Sequence, residues 1–109
     1  MINLSIQSTL TFEFDATYEV GLNSDHAVAD KVVARGVRIR GAQIAFDDSA
    51  SGVLPPGTAF TLIENMATSP LSGTFSNLPD NSTVTVGNNT FQASYEGGDG
   101  NDLTLTVVP

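Results

Sequence analysis

The sequence predicts an all-β fold, and three features of its 109 residues predict it. Apolar and polar residues alternate one by one through several short runs. Clusters of Gly, Pro, Asn, Asp and Ser separate those runs. No long stretch repeats its apolar residues at helical spacing. Single-residue alternation is what a half-buried strand requires, and the clusters supply the turns between strands.

The elements follow in order. In residues 9–15, Leu10, Phe12 and Phe14 fall on one face of a strand, with Thr9, Thr11, Glu13 and Asp15 on the other. Residues 24–34 hold the only helix candidate, with Ser24 or Asp25 as its cap. The β-branched pair Val32-Val33 fits a strand better. Val37 and Ile39 then alternate with Arg38 and Arg40, and Ala42, Ile44 and Phe46 with Gln43, Ala45 and Asp47. Residues 47–57 read as a long surface loop, broken by Ser51-Gly52 and Pro55-Pro56-Gly57. Strands are expected again at residues 59–64, 83–86, 90–95 and 103–108. Pro79-Asp80-Asn81, Gly87-Asn88-Asn89 and the glycine-rich run 97–102 form turns among them. The expected core is Leu10, Phe12, Phe14, Val37, Ile39, Ile44, Phe60, Leu62, Phe75, Phe91, Leu103 and Leu105. Alternation separates core from surface, but it is the same for parallel and antiparallel pairing.

Composition narrows the function. Twelve acidic residues against four basic ones give a net charge of -8. Nucleic acids and anionic membrane surfaces require basic surface, so neither is an expected partner. With no cysteine there is no disulfide, thiolate metal site or cysteine nucleophile. No apolar run is long enough to cross a membrane, so no membrane insertion is expected. Residues 1–7 have neither a basic segment nor an apolar one, so they are not a signal peptide. Residues 1–109 read as a single all-β module, expected to be a fragment of a larger exported protein with a start Met supplied.

The C-terminal half carries a resemblance. Gly73-Thr74-Phe75, Leu78-Pro79, Phe91-Gln92-Ala93-Ser94-Tyr95 and Gly97-Gly98-Asp99-Gly100-Asn101-Asp102-Leu103 occur in that order. Upstream lie Phe60-Thr61-Leu62-Ile63-Glu64-Asn65, Asp30-Lys31-Val32, Gly36 and Gly41-Ala42. The series resembles the end module that follows autotransporter-associated β-strand repeats in large bacterial surface proteins. That module reads as G-T-F, L-P-E-G, a strand ending I-S-Y, G-G-D-G-N-D-V and a final strand. The likeness spans residues 10–108. Asp80-Asn81 stands where Glu-Gly is usual, and residues 17–29 have no counterpart. The resemblance implies a secreted or cell-surface location in bacteria, at the end of a β-solenoid. The favoured architecture is a short right-handed parallel β-solenoid ending in an antiparallel hairpin made of residues 91–95 and 103–108. The alternative is an antiparallel β-sandwich or jelly roll.

The candidate chemistry is sparse. Residues 97–105 fit the nonapeptide G-G-x-G-x-D-x-U-x that binds calcium in β-roll proteins, making Asp99 and Asp102 candidate calcium ligands. One copy supplies half a coordination shell, so the plainer reading is a Gly/Asp/Asn hairpin turn, with no cofactor. Arg38 and Arg40 share a strand face and form a candidate binding stripe for carboxylates or an acidic glycan. Glu13 and Asp15, about 6–7 Å apart on one strand face, match glycosidase carboxylate spacing but equally an ordinary solvated face. His26, the only histidine, lies near Ser24, Asp25 and Asp30 without a nucleophile motif. There is no tryptophan and only two tyrosines, so a sugar-stacking platform is lacking. The expected function is a non-enzymatic structural or capping module whose partners are neighbouring β-repeats of its parent chain. The alternative is a calcium-assisted adhesion or glycan-binding module. Exposed edge strands leave room for a homo-oligomer.

Overall fold

The structure, a computed structural model, describes residues 3–98 and 100–108, and every regular element in them is a strand. The strands are β1 (Asn3–Ile6), β2 (Leu10–Phe12), β3 (Thr17–Asn23), β4 (Val28–Ala29), β5 (Lys31–Ala34) and β6 (Val37–Ile39). They continue with β7 (Gln43–Asp48), β8 (Ala59–Asn65), β9 (Thr83–Val86), β10 (Asn89–Gly97) and β11 (Asp102–Val107).

Three parallel ladders run side by side. In the first, β1 pairs with β5 from Asn3↔Lys31, and β5 pairs with β8 from Val32↔Ile63. In the second, β2 pairs with β6 from Leu10↔Val37, and Ser72 extends the row by a parallel bridge to Arg38. In the third, β3 pairs with β7 from Thr17↔Gln43, while β4 folds back antiparallel onto Leu22 and Asn23. From β8 onward pairing turns antiparallel. The order β8-β11-β10-β9 completes a six-stranded sheet that begins β1-β5. The fold is all-β with mixed sheets, neither purely parallel nor purely antiparallel.

Local sequence explains the corners. Gly36, Gly41 and Gly73 sit at φ of 101°, 77° and 82°, where a side chain is strained. At Gly73 the space is also missing: a Cβ there would collide with the Ile39 carbonyl. β8 carries a bulge. Its register against β11 jumps from Leu103↔Ile63 to Thr104↔Thr61, so consecutive Leu62 and Ile63 are both fully buried.

One core joins the ladders. Phe75, Phe91, Leu62, Ile63, Leu78, Leu103 and Leu105 are fully buried, each contributing about 1.5–3 kcal/mol by leaving water. Phe12 packs its ring 5.3 Å from both Phe75 and Tyr18. Of the expected core, nine residues are buried, and Leu10 and Phe12 are half-buried against them. Phe14 is the exception, at 78% exposed. The strand expected to run to Asp15 stops at Phe12, and residues 13–16 turn through an Ala16 N–H to Glu13 carbonyl bond of 3.0 Å. The helix candidate at residues 24–34 is also replaced. Residues 24–27 make the hairpin between β3 and β4, with Ala27 at φ 53°, and Lys31–Ala34 is a strand.

Candidate functional site

The glycine-rich corner between β10 and β11 holds the expected metal candidates. Asp99 lies outside the described residues. Asp102 opens β11 opposite Gly97 and is buried. Its Oδ1 accepts the Asn65 backbone N–H at 2.9 Å, tying the hairpin turn to the end of β8. A Cβ at Gly98, which has φ of 58°, would run into the Asp102 carboxylate, so the turn closes directly over it.

Asn65 is the hub of this corner. Its side-chain oxygen accepts the amides of Gly36 at 3.0 Å and Ala67 at 3.1 Å, and its Nδ2 donates to the Ser69 carbonyl at 3.0 Å. The neighbouring Asn101 donates from Nδ2 to the carbonyls of Ala67 and Ser69. These neutral bonds anchor residues 65–69 by pairing the carbonyls of Ala67 and Ser69. Among the described residues, no three His, Cys, Asp or Glu side chains gather as metal ligands.

The other candidates are dispersed. Arg38 and Arg40 are both exposed; Arg38 lies in β6 beside Ser72 and Arg40 just beyond it. The Arg40 Nε sits 3.6 Å from Glu13 Oε1, an exposed pair of small energetic weight. Glu13 and Asp15 do not share a strand face, because both lie in the turn after β2. His26 is exposed in the β3–β4 turn, its N–H bonded to Asn23 Oδ1 at 3.2 Å.

Sequence reasoning missed a second polar site, at the outer edge of β7. The Asn77 side chain accepts the Ile44 N–H at 2.9 Å and donates to the Ile44 carbonyl at 2.7 Å. A carboxamide offers one donor and one acceptor, as a peptide unit does, so Asn77 stands in for a strand residue. Beyond it a gap of about 470 Å³ lies between β7 and β9, lined by Ile44, Phe46, Asp47 and Asp48 on one side and Val84–Val86 on the other. Burial alone would raise the Asp48 pKa, but the nearby Ser24 side chain and the amides of Ala50 and Ser24, which Oδ1 accepts at 3.0 and 3.1 Å, outweigh it. The carboxyl therefore titrates below its usual 3.8. In the sequence, Asp48 fell in the expected loop at residues 47–57 and Asn77 carried no signal; only their position beside an unpaired strand edge distinguishes them.

Comparison with family models, with curated proteins and with solved structures gives no match to this chain.

Proposed function

We propose that the chain is a non-catalytic module that closes one end of a right-handed parallel β-solenoid in a bacterial surface or secreted protein. One observation carries the reading. The strands β1, β2 and β3 are followed in the same order by β5, β6 and β7, each pairing in parallel with its counterpart. Two successive coils of a solenoid make that pattern. β8 and Ser72 extend two of the three ladders. Antiparallel β11 then covers the free edge of β8, and β10 and β9 extend that sheet, which brings β9 across a gap from β7. An open coil edge invites edge-to-edge association, and pairing the β8 edge with β11 removes it.

In this reading the partner is the preceding β-repeat of the parent chain. It would stack on the edges of β1 and β2 that no strand covers among the described residues. In this reading the turn is structural and calls on no calcium: Asp102 Oδ1 holds the Asn65 backbone amide.

The test is a fusion. The module is joined to the C-terminal end of a parallel β-helical repeat array whose last coil is open. The fused array is expected to be monomeric and to melt in one transition with the module, at the same temperature in calcium and in chelator. Two separate transitions, with the array aggregating as fast as it does unfused, would refute the capping role.

A further inference from the structure

We propose that the gap between β7 and β9 receives an extended peptide of alternating apolar and basic residues, seated as a guest strand beside β7. The backbone groups of β7 alternate in direction. Gln43 donates its N–H to the Ala16 carbonyl and Ser49 its N–H to the Leu22 carbonyl. In a parallel ladder alternate residues face the same neighbour, so Gln43, Ala45 and Asp47 face β3. Ile44 and Phe46 face the other way. Asn77 satisfies Ile44, while Phe46 has no ladder partner on that side among the described residues.

The opposite wall has the same character. Ala93 donates to the Ser82 carbonyl, and β9 pairs with β10 through Val84↔Phe91 and Val86↔Asn89. Alternation in an antiparallel ladder then turns the N–H and carbonyl of Thr85 away from β10, toward the gap. Two unpaired strand edges thus flank one slot, which is the arrangement that takes up an added strand. It is also the place where a third strand of the β3–β7 ladder would lie. The chain fills only its first position, with the Asn77 carboxamide.

The slot selects its occupant. Ile44 and Val86 are buried and Phe46 and Val84 half-buried, so inward-facing guest residues meet an apolar floor. Asp47 is exposed at the rim, Asp48 lies at the end beside Gly87, and the whole chain carries -8, so outward-facing guest residues are favoured as lysine or arginine. A strand occupies a cross-section of about 4.8 by 10 Å and rises about 3.3 Å per residue, so the gap accommodates roughly three residues. Binding is correspondingly weak and salt-sensitive.

The probe is an end-capped pentapeptide alternating lysine and valine, titrated into the full chain and followed by amide NMR. Saturable shifts are expected at Phe46 and Thr85, with their hydrogen exchange slowed about tenfold. The same peptide N-methylated at alternate amides cannot pair and should bind at least about tenfold more weakly. Thr85→Pro removes the outward N–H and the exposed hydroxyl bond to Thr90, leaves the backbone ladder to β10 whole, and should abolish the shift at Phe46. If that variant melts early, Ala45→Lys at the rim serves instead, weakening the lysine peptide by repulsion. The proposal fails if no saturable shift occurs, if the N-methylated peptide binds equally, or if the shifts fall on β1 and β2. It also fails if the peptide-free protein protects Phe46 and Thr85 as its own concentration rises, which would make a second copy the occupant.

Discussion

The Tyr95 hydroxyl donates to the Leu78 carbonyl across 2.6 Å, and the same oxygen accepts the Phe75 N–H at 3.0 Å. One side chain from β10 thereby satisfies two buried backbone groups in the segment that leaves the second ladder. Tyr95→Phe keeps the ring and orphans both groups, at an expected cost of about 1–3 kcal/mol. Urea melts should show a lower midpoint at unchanged slope. Burial, reinforced by the Asp80 charge and only partly offset by the Phe75 amide, pushes the Tyr95 pKa up to about 12. Tyr18 is pushed up to about 12 as well, by burial and then by Asp30. Both phenols favour the folded state while protonated. Their contribution is therefore intact below pH 10 and lost as the pH rises from the ordinary 10.0 through about 12. Phenolate absorbance should stay low until backbone ellipticity begins to collapse in that window.

Phe12 and Phe14 are two residues apart, and substitution should separate them. Phe12 contacts the rings of Tyr18 and Phe75, so Phe12→Ala should cost about 2–4 kcal/mol. Phe14 is solvated, so Phe14→Ser should fall within about 0.5 kcal/mol of the parent chain. Equal losses in thermal melts would mean that the strand runs on past Phe12.

Gly73→Ala tests the corner between the second and third ladders. The residue combines φ of 82° with direct contact to the Ile39 carbonyl. A methyl group there must displace the backbone that carries the bond from the Ile39 N–H to the Ser72 carbonyl, 2.7 Å long. A loss of at least about 2 kcal/mol is expected. At Gly57, where φ is also positive at 92° but nothing lies nearby, alanine should cost less than half as much. Chemical denaturation of the two variants reads the difference.

Glu96 is raised above its ordinary 4.5 by its hydrogen bond to the Asp80 side chain, then by desolvation and the Asp80 charge. An acid raised on folding stabilises the fold while protonated, and that contribution disappears as the pH climbs past 4.5 through its folded value. Glu96→Gln should therefore raise the melting temperature slightly at neutral pH and leave it unchanged under acid conditions. A uniform shift at every pH would mean that the two carboxyls do not interact.

Much of this was legible in the sequence. Alternation marked β8, β10 and β11 nearly to their ends, because each has one dry face and one wet face. The strand β3 was not expected, although Tyr18, Val20 and Leu22 alternate along it, because residues 17–29 fit nothing in the resembled module. Pairing direction was not legible, since a strand shows the same in-and-out pattern whichever way its neighbour runs. The same alternation misassigned Phe14, because it carries no information on where a turn begins. The asparagines were hardest to read. Asn65, Asn77 and Asn89 have the composition of turns, and their work is long-range: Asn89, for example, accepts the Leu54 N–H at 2.7 Å and donates to the Gly52 carbonyl at 2.9 Å.

β8 is parallel to β5 on one edge and antiparallel to β11 on the other. The sequence-local hairpins β9–β10–β11 can assemble early, because their loops are short, whereas the parallel ladders must wait for distant segments to meet. Among the described residues, the strand pairing between these two halves passes through this one strand. It is the hinge pin of the backbone ladders: fraying that spreads from the early coils along strand pairing reaches the terminal meander through β8.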